Sequence, residues 1–217
     1  MEAIVLAGGM GKRLRPLTKD VPKAMVPVNG VPLLEYQLRR LERYGIKKIV
    51  LACGYKWEVI KKEFGSRFVY SVENEPLGTA GAVNNAIDKI DGKEFLVVNA
   101  DDITDANLDK LIKTGSNATA VARFHSNFGI VEIKGEKIMK FREKPLLPYW
   151  ANVGLHILSK NIKFPTKGSL EYDVLPPIAA KGQLKVYKHE GFWMTVNTVK
   201  DLEEVEEAIK KKGIKLD

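Results

Sequence analysis

The chain has 217 residues, 45% of them apolar and 29% charged, which is the composition of a folded globular protein and not of a disordered one. No apolar run approaches the roughly 20 residues a membrane helix needs, and a single cysteine, Cys53, excludes an internal disulfide framework. Lys and Arg number 35 against 27 Asp and Glu, a net charge of +8, but the cations are interleaved with acids and not with aromatics, which argues against a nucleic-acid surface and leaves small phosphorylated ligands.

Residues 2–7 are an apolar run closed by Gly8-Gly9, the pattern of a buried parallel strand followed by a turn. No basic leader precedes it, so a cytoplasmic protein is expected, with no membrane partner. In residues 32–44, Leu34, Leu38 and Leu41 fall at i, i+4 and i+7, with Pro32 at the start and Gly45 at the stop, predicting an amphipathic helix. Strands are predicted at 47–53, 67–72 and 94–99, with helices at 56–64 and 79–90, the latter opened by Thr79. This β-α alternation favours a doubly wound parallel sheet with helices on both faces. The second half predicts strands at 118–124, 128–134, 137–142, 151–158 and 183–188, a turn at Gly135, and helices near 172–181 and 200–212. With no linker or repeat in view, one α/β domain with a mixed, mostly parallel sheet is the economical reading, spanning 1–217. Such sheets bind ligands beyond the C-terminal ends of their strands, which points at residues 8–15, 73–81 and 100–104.

The densest chemistry lies in residues 6–33, LAGGMGKRLRPLTKDVPKAMVPVNGVPL. A strand runs into a glycine-rich loop carrying Lys12, Arg13, Arg15, Lys19 and Lys23. Glycines let a backbone approach a phosphate, and their N–H groups can form an anion nest. Two familiar loops are excluded: Gly11-Lys12 is followed by Arg13 and not by Ser or Thr, and a third glycine is missing at Leu14.

This stretch closely resembles the signature of the sugar-phosphate nucleotidyltransferases, LAGGxGxRLxPLTxxxPKxMxPVxxxPL. The resemblance continues through Leu77-Gly78-Thr79-Ala80-Gly81, Asn99-Ala100-Asp101, Arg142-Glu143-Lys144-Pro145, Asn152-Val153-Gly154, Ser169-Leu170-Glu171 and Gly191-Phe192-Trp193. It implies a single Rossmann-like catalytic domain without the left-handed β-helix that many members carry. It implies transfer of a nucleotidyl group from an NTP to a sugar 1-phosphate, releasing pyrophosphate, with Mg2+ as cofactor. By the same resemblance Arg13 and Lys23 serve the phosphates, and Asp101 is catalytic and holds the metal. Leu6, Ala7, Gly8, Gly9, Gly11, Lys12, Gly78 and Thr79 bind the nucleotide, while Glu143, Lys144, Asn152, Gly154 and Glu171 hold the sugar phosphate. The 77–81 loop looks like that of guanylyltransferases acting on mannose or heptose 1-phosphates; uridylyl or thymidylyl transfer is the alternative, as is a catalytically weak regulatory subunit. A homo-oligomer is left open.

One departure stands out. Relatives commonly read Gly-Phe-Trp-x-Asp-x-Gly-Thr near the C-terminus, the Asp being a second metal ligand; here Thr195 and Asn197 replace the Asp and the Gly. The expectation is a metal anchored by Asp101 with water or Thr195 beside it, and weaker metal affinity. Asp102 should point elsewhere by strand alternation. The remaining candidates have plainer readings: Cys53 as a core residue, His125, His156 and His189 without metal-ligand spacing, the Asn117-Ala118-Thr119 sequon as chance, and Trp150 as packing or sugar stacking.

Overall fold

The structure, a computed structural model, describes residues 1–212. In chain order the elements are β1 (Glu2–Leu6), the short pair β2 (Pro27–Val28) and β3 (Val31–Pro32), α1 (Leu33–Arg43), β4 (Ile49–Cys53), α2 (Trp57–Phe64), β5 (Val69–Val72), α3 (Gly78–Ala86), β6 (Glu94–Asn99), β7 (Asp102–Thr104) and α4 (Leu108–Thr114). Then come β8 (Ala118–His125), β9 (Ile130–Lys134), β10 (Lys137–Arg142), β11 (Leu146–Ser159), α5 (Leu175–Ala180), β12 (Lys185–His189), β13 (Trp193–Thr195) and α6 (Val199–Lys212). The last residues of the expected 1–217 domain, 213–217, lie outside the described residues. Among the described residues no helix is long and apolar enough to cross a membrane.

Seven strands form one sheet in the order β12-β8-β11-β6-β1-β4-β5. β1 pairs in parallel with both β4 and β6, and β4 with β5. β11 is antiparallel to β6 and β8, and β12 returns to parallel beside β8. The mixed, mostly parallel sheet flanked by helices matches the expected class. The chain moves from β1 through β4 to β5 and then crosses back to β6 on the far side of β1. The C-terminal ends of β1 and β6 therefore flank a switch point, where an open sheet leaves a crevice.

The two faces of this sheet are buried by alternate residues of the same strands. Ala3 and Val5 of β1 pack under Leu34, Leu38, Leu41 and Ile60, whereas Ile4 faces Ala80, Val83 and Leu170. Each α1 leucine is fully or almost fully buried, a burial that stabilises by about 1.5–3 kcal/mol apiece. A third cluster joins Leu14, Val26, Val28 and Leu33 to Phe192, Val196, Leu202 and Val205, so α6 packs beneath the segment that follows β1.

The structure departs from the sequence expectations in three ways. α4, the two-residue strands β2 and β3 and the three-residue strands β7 and β13 appear in addition, and β11 begins at Leu146, five residues before the expected 151. Thr79 does not cap α3: the helix starts at Gly78 with Leu77 at the cap and no side-chain cap bond, and the Thr79 hydroxyl instead donates to Glu171 Oε2 at 2.9 Å. Helical backbone begins two residues too early for Thr79 to stand at the cap.

His156 lies in β11 at the centre of the sheet and is wholly buried, its Nδ1 hydrogen-bonded to the Thr119 hydroxyl and its Nε2 without a partner among the described residues. Burial pulls its pKa from 6.5 to about 4, with Glu171 opposing. The imidazole is neutral in the folded protein at pH 5 and charged in the unfolded chain, so unfolding takes up a proton between about pH 6.5 and 4 and stability falls as pH falls. Urea unfolding at pH 7 and pH 5 should show wild type losing on the order of 2 kcal/mol more than His156→Gln. Equal losses would assign acid sensitivity to other groups.

Candidate active site

The parallel strands stop together. Ala7 N–H continues to the Ala52 carbonyl at 2.8 Å, Ala100 N–H to Leu6 at 3.2 Å, and Glu73 N–H to Cys53 at 2.8 Å. Beyond these ends opens a cleft of about 690 Å³, within the size range of small-molecule sites. Leu6, Ala7, Gly8, Gly9, Gly11, Lys12, Arg13, Lys23, Gly78, Thr79 and Asp101 line it, so the expected nucleotide and catalytic positions converge.

The glycine-rich loop owes its shape to close approach. A side chain on Gly8 would come within 3.4 Å of both Glu73 Oε1 and the Gly54 nitrogen. Gly11 has φ +61°, a conformation that disfavours other residues. A Cβ there would meet Thr18 Cγ2 at 2.8 Å and Lys23 Cβ at 3.0 Å. Thr18 donates to the Gly11 carbonyl at 2.8 Å, and Lys23 N–H to the Gly9 carbonyl at 3.2 Å, folding the cationic segment back over the loop.

On the cleft floor Lys23 Nζ pairs with Asp101 Oδ2 and donates to Asn197 Oδ1 at 2.8 Å. Arg13 Nη2 donates to the same oxygen at 3.0 Å. Asp102, next in sequence, points the other way: it is buried and accepts from Trp193 Nε1 at 3.0 Å and Asn99 Nδ2 at 3.1 Å. Burial, with the Asp101 charge adding to it, pushes the Asp102 carboxyl up to about 7. A side chain at Gly154 would collide with Asp102 Oδ2 and Asn99, so this glycine keeps space behind the cleft.

The opposite wall is the segment between β5 and α3. Glu73 is half-buried, accepts from Leu77 N–H at 3.3 Å, and has its carboxyl raised above the usual range by burial, an effect that bond offsets only in part. Gly78, at φ +76°, lies against the Gly168 carbonyl, leaving no room for a Cβ. Thr79 links this wall to Glu171, which also accepts from Ser169 Oγ at 2.7 Å. Burial raises the Glu171 carboxyl, but these hydrogen bonds outweigh it and the net direction is down.

The sugar-side residues are placed differently. Glu143 and Lys144 are exposed just after β10, and neither they nor Asn152, Gly154 and Glu171 contribute to the cleft lining. The Lys144 carbonyl accepts from His125 Nδ1 at 2.9 Å, and Asn152 Oδ1 accepts from Gly154 N–H at 3.0 Å. Trp150 lies between Arg123, 4.9 Å from its ring centre, and Lys188, 5.3 Å away. Cys53 is buried and its thiol pushed up to about 12 by burial, with the Glu73 charge adding, which makes it inert. Gly54, Tyr55, Asn74, Glu75 and Asn197 line the cleft without having been named as site residues. Asn74 and Glu75 fall in the expected 73–81 stretch, the end of the strand at 53 carried the signal for Gly54 and Tyr55, and Asn197 was marked in the sequence only as a departure from the motif.

A glycine-rich loop, clustered cations and a carboxylate at the switch point of an open parallel sheet define a domain built to handle nucleotide phosphates. The Nucleotidyl transferase family model matches residues 2–212, and the chain belongs to that family of transferase enzymes. It is 37% identical to a D-glycero-alpha-D-manno-heptose 1-phosphate guanylyltransferase of Campylobacter jejuni, over 75% of this chain and 77% of the relative. It is also 37% identical to a mannose-1-phosphate guanyltransferase of Aspergillus fumigatus, over 93% of this chain but 62% of that longer protein. The solved structure of HddC from Yersinia pseudotuberculosis complexed with GMP-PN superposes with a TM-score of 0.73 at 27% identity, covering 96% of this chain and 99% of that one.

Gly11→Ala must move Thr18 and Lys23 and adopt a strained backbone. Calorimetric titration should show nucleoside triphosphate binding weakened on the order of tenfold, with the fold retained by circular dichroism. Unchanged affinity would remove this loop from the phosphate site.

Proposed function

We propose that the chain transfers a guanylyl group from GTP to a mannose- or heptose-type sugar 1-phosphate, giving the GDP-sugar and pyrophosphate. The observation that carries the choice of base is Glu73. An ionised carboxylate only accepts hydrogen bonds, and it can accept two in parallel. Guanine offers N1–H and N2–H side by side on one edge, whereas uracil and thymine offer a single N–H between two acceptors. A half-buried carboxylate in the cleft wall suits the first pattern. The names of the Campylobacter and Aspergillus relatives and the GMP-PN bound to the Yersinia protein support the same base and sugar class.

In this reading one sugar phosphate oxygen attacks the α-phosphorus in line, a P–O bond forms there, and the bond to the β-phosphate oxygen breaks. The chain then has no covalent step to perform; it positions the reactants and neutralises charge. Gly8, Gly9 and Gly11 offer backbone N–H groups, and Arg13 and Lys23 face the charge that grows on the pyrophosphate. Lys144, outside the cleft lining, is assigned to the incoming phosphate as a point charge. Asp101 on the cleft floor is a carboxylate oxygen donor that fits Mg2+, an ion content with one carboxylate when substrate phosphates and water complete its shell. When bound, Mg2+ would supply further neutralisation of the phosphates.

Thr195 in place of a carboxylate favours a second reading, a nucleotide-sugar-binding subunit with little turnover. Pyrophosphate release over a panel of NTPs and sugar 1-phosphates separates the two. Turnover should be greatest with GTP and a mannose- or heptose-type phosphate, and its absence with every pair would favour the second reading. In the same assay Arg13→Ala should lower the rate on the order of 10²-fold; a rate within twofold of wild type would contradict its role. Glu73→Gln should narrow the preference for GTP over UTP by on the order of tenfold, since one acceptor becomes a donor, and an unaltered ratio would place base reading elsewhere.

A further inference from the structure

Asn197 gathers two cations on one neutral oxygen. Its Oδ1 accepts from Lys23 at 2.8 Å and from Arg13 at 3.0 Å. The rest of the residue is fixed from three sides. Its Nδ2 donates to Thr195 Oγ1 at 3.1 Å. Its backbone N–H donates to Asp201 Oδ2 at 3.0 Å, inside a reciprocal helix cap in which Asp201 also accepts from Thr198 N–H at 2.8 Å and Thr198 Oγ1 accepts from Asp201 N–H at 3.2 Å. Val196 N–H donates to the Asp101 carbonyl at 3.0 Å, and the Val196 side chain is wholly buried in the cluster that also holds Leu14 and Val26. The amide is therefore tied to the floor of the cleft at the point where the glycine-rich loop, the end of β6 and the start of α6 meet.

The acceptor's lack of charge is the telling feature. Arg13, Lys23 and Lys12 contribute +3, and Asp101 and Asp201 −2, which leaves +1 around the amide and the loop. A carboxylate in place of the amide would hold the same two donors and cancel that charge, whereas the amide holds them without cancelling it. Like charges brought to one neutral atom repel each other, and an arrangement of this kind is relieved when a polyanion enters.

We propose that Asn197 is a positioning residue that sets the spacing of Arg13 and Lys23 and keeps the pair available to the pyrophosphate end of the nucleotide. The inference rests on the proposed reading of the cleft. It makes no claim about the sugar, and its test needs no turnover. Inorganic pyrophosphate and guanosine are titrated separately into wild type, Asn197→Asp and Asn197→Ala by calorimetry without metal, with thermal unfolding as a check on folding. Asn197→Asp should weaken pyrophosphate on the order of tenfold or more, because the added charge competes for both cations. Asn197→Ala should weaken it several-fold by freeing them. Guanosine, which meets only the far wall, should change less than twofold in both. Wild-type pyrophosphate affinity in both variants would overturn the proposal and leave Asn197 a helix-cap neighbour. Parallel losses for pyrophosphate and guanosine, or a variant that does not fold, would likewise overturn it in favour of a structural role. If wild type releases no pyrophosphate from any NTP, the transferase reading fails while this comparison of affinities stands.

Discussion

Lys23 carries a charge into the floor of the cleft, where its side chain is only 12% exposed. A charge so sheltered must be paired, and its partners come from distant parts of the chain: Asp101 at the end of β6 and Asn197 at the start of α6. Much of the fold can be read as the means of keeping these three together. β1 and β6 pair in register from Glu2 with Phe95 to Leu6 with Asn99, which sets the distance from the loop to Asp101. β13 pairs with β7 through Thr195 and Asp102, which brings residue 197 alongside. The apolar cluster under α6 then closes the floor from below.

The same constraint explains why the two neighbouring carboxylates differ. Asp101 opens to the cleft and meets a cation. Asp102 turns inward, where Trp193 and Asn99 occupy its two oxygens and burial favours its protonated form. A pair of ionised carboxylates at adjacent positions would repel; here burial of one leaves the other free to act as the charged member. Across the cleft the wall is built by backbone contact as well as by carboxylates: Gly168 accepts from Ala80 N–H at 3.0 Å and donates to the Leu77 carbonyl at 2.9 Å, while Glu73 accepts from Leu77 N–H and Glu171 from the Thr79 hydroxyl.

What the sequence disclosed was local. Apolar runs ending in glycine, and leucines at helical spacing, gave the doubly wound half of the sheet, because parallel strands buried on both faces leave no ambiguity of pattern. The glycines and cations of residues 8–23 are contiguous, so their chemistry could be read directly. The missed elements are short: α4 has seven residues, β7 and β13 three each and β2 and β3 two each, below the length over which periodicity accumulates. β11 includes Pro148 near its start, and the irregular register with β8 between Leu146 and Trp150 accommodates it. Glu73 fell within the 73–81 stretch to which the strand ends pointed, but neither its role nor that of Asn197 was legible. Glu73 depends on its burial in the wall after β5, and Asn197 on bonds to Arg13 and Lys23, which lie 184 and 174 residues away along the chain; an asparagine where glycine was expected reads in isolation only as a departure from a motif.

The central claim, that the loop after β1 and the wall after β5 together hold a nucleoside triphosphate, is tested most directly by mapping backbone amide resonances as GTP is added to the metal-free protein. The account predicts the largest shifts at Gly8, Gly9, Gly11, Gly78 and Thr79, with side-chain shifts at Asn197 as Lys23 and Arg13 turn to the phosphates. Shifts concentrated elsewhere, for example around Trp150 and Lys188, with the glycine-rich loop unmoved, would contradict it.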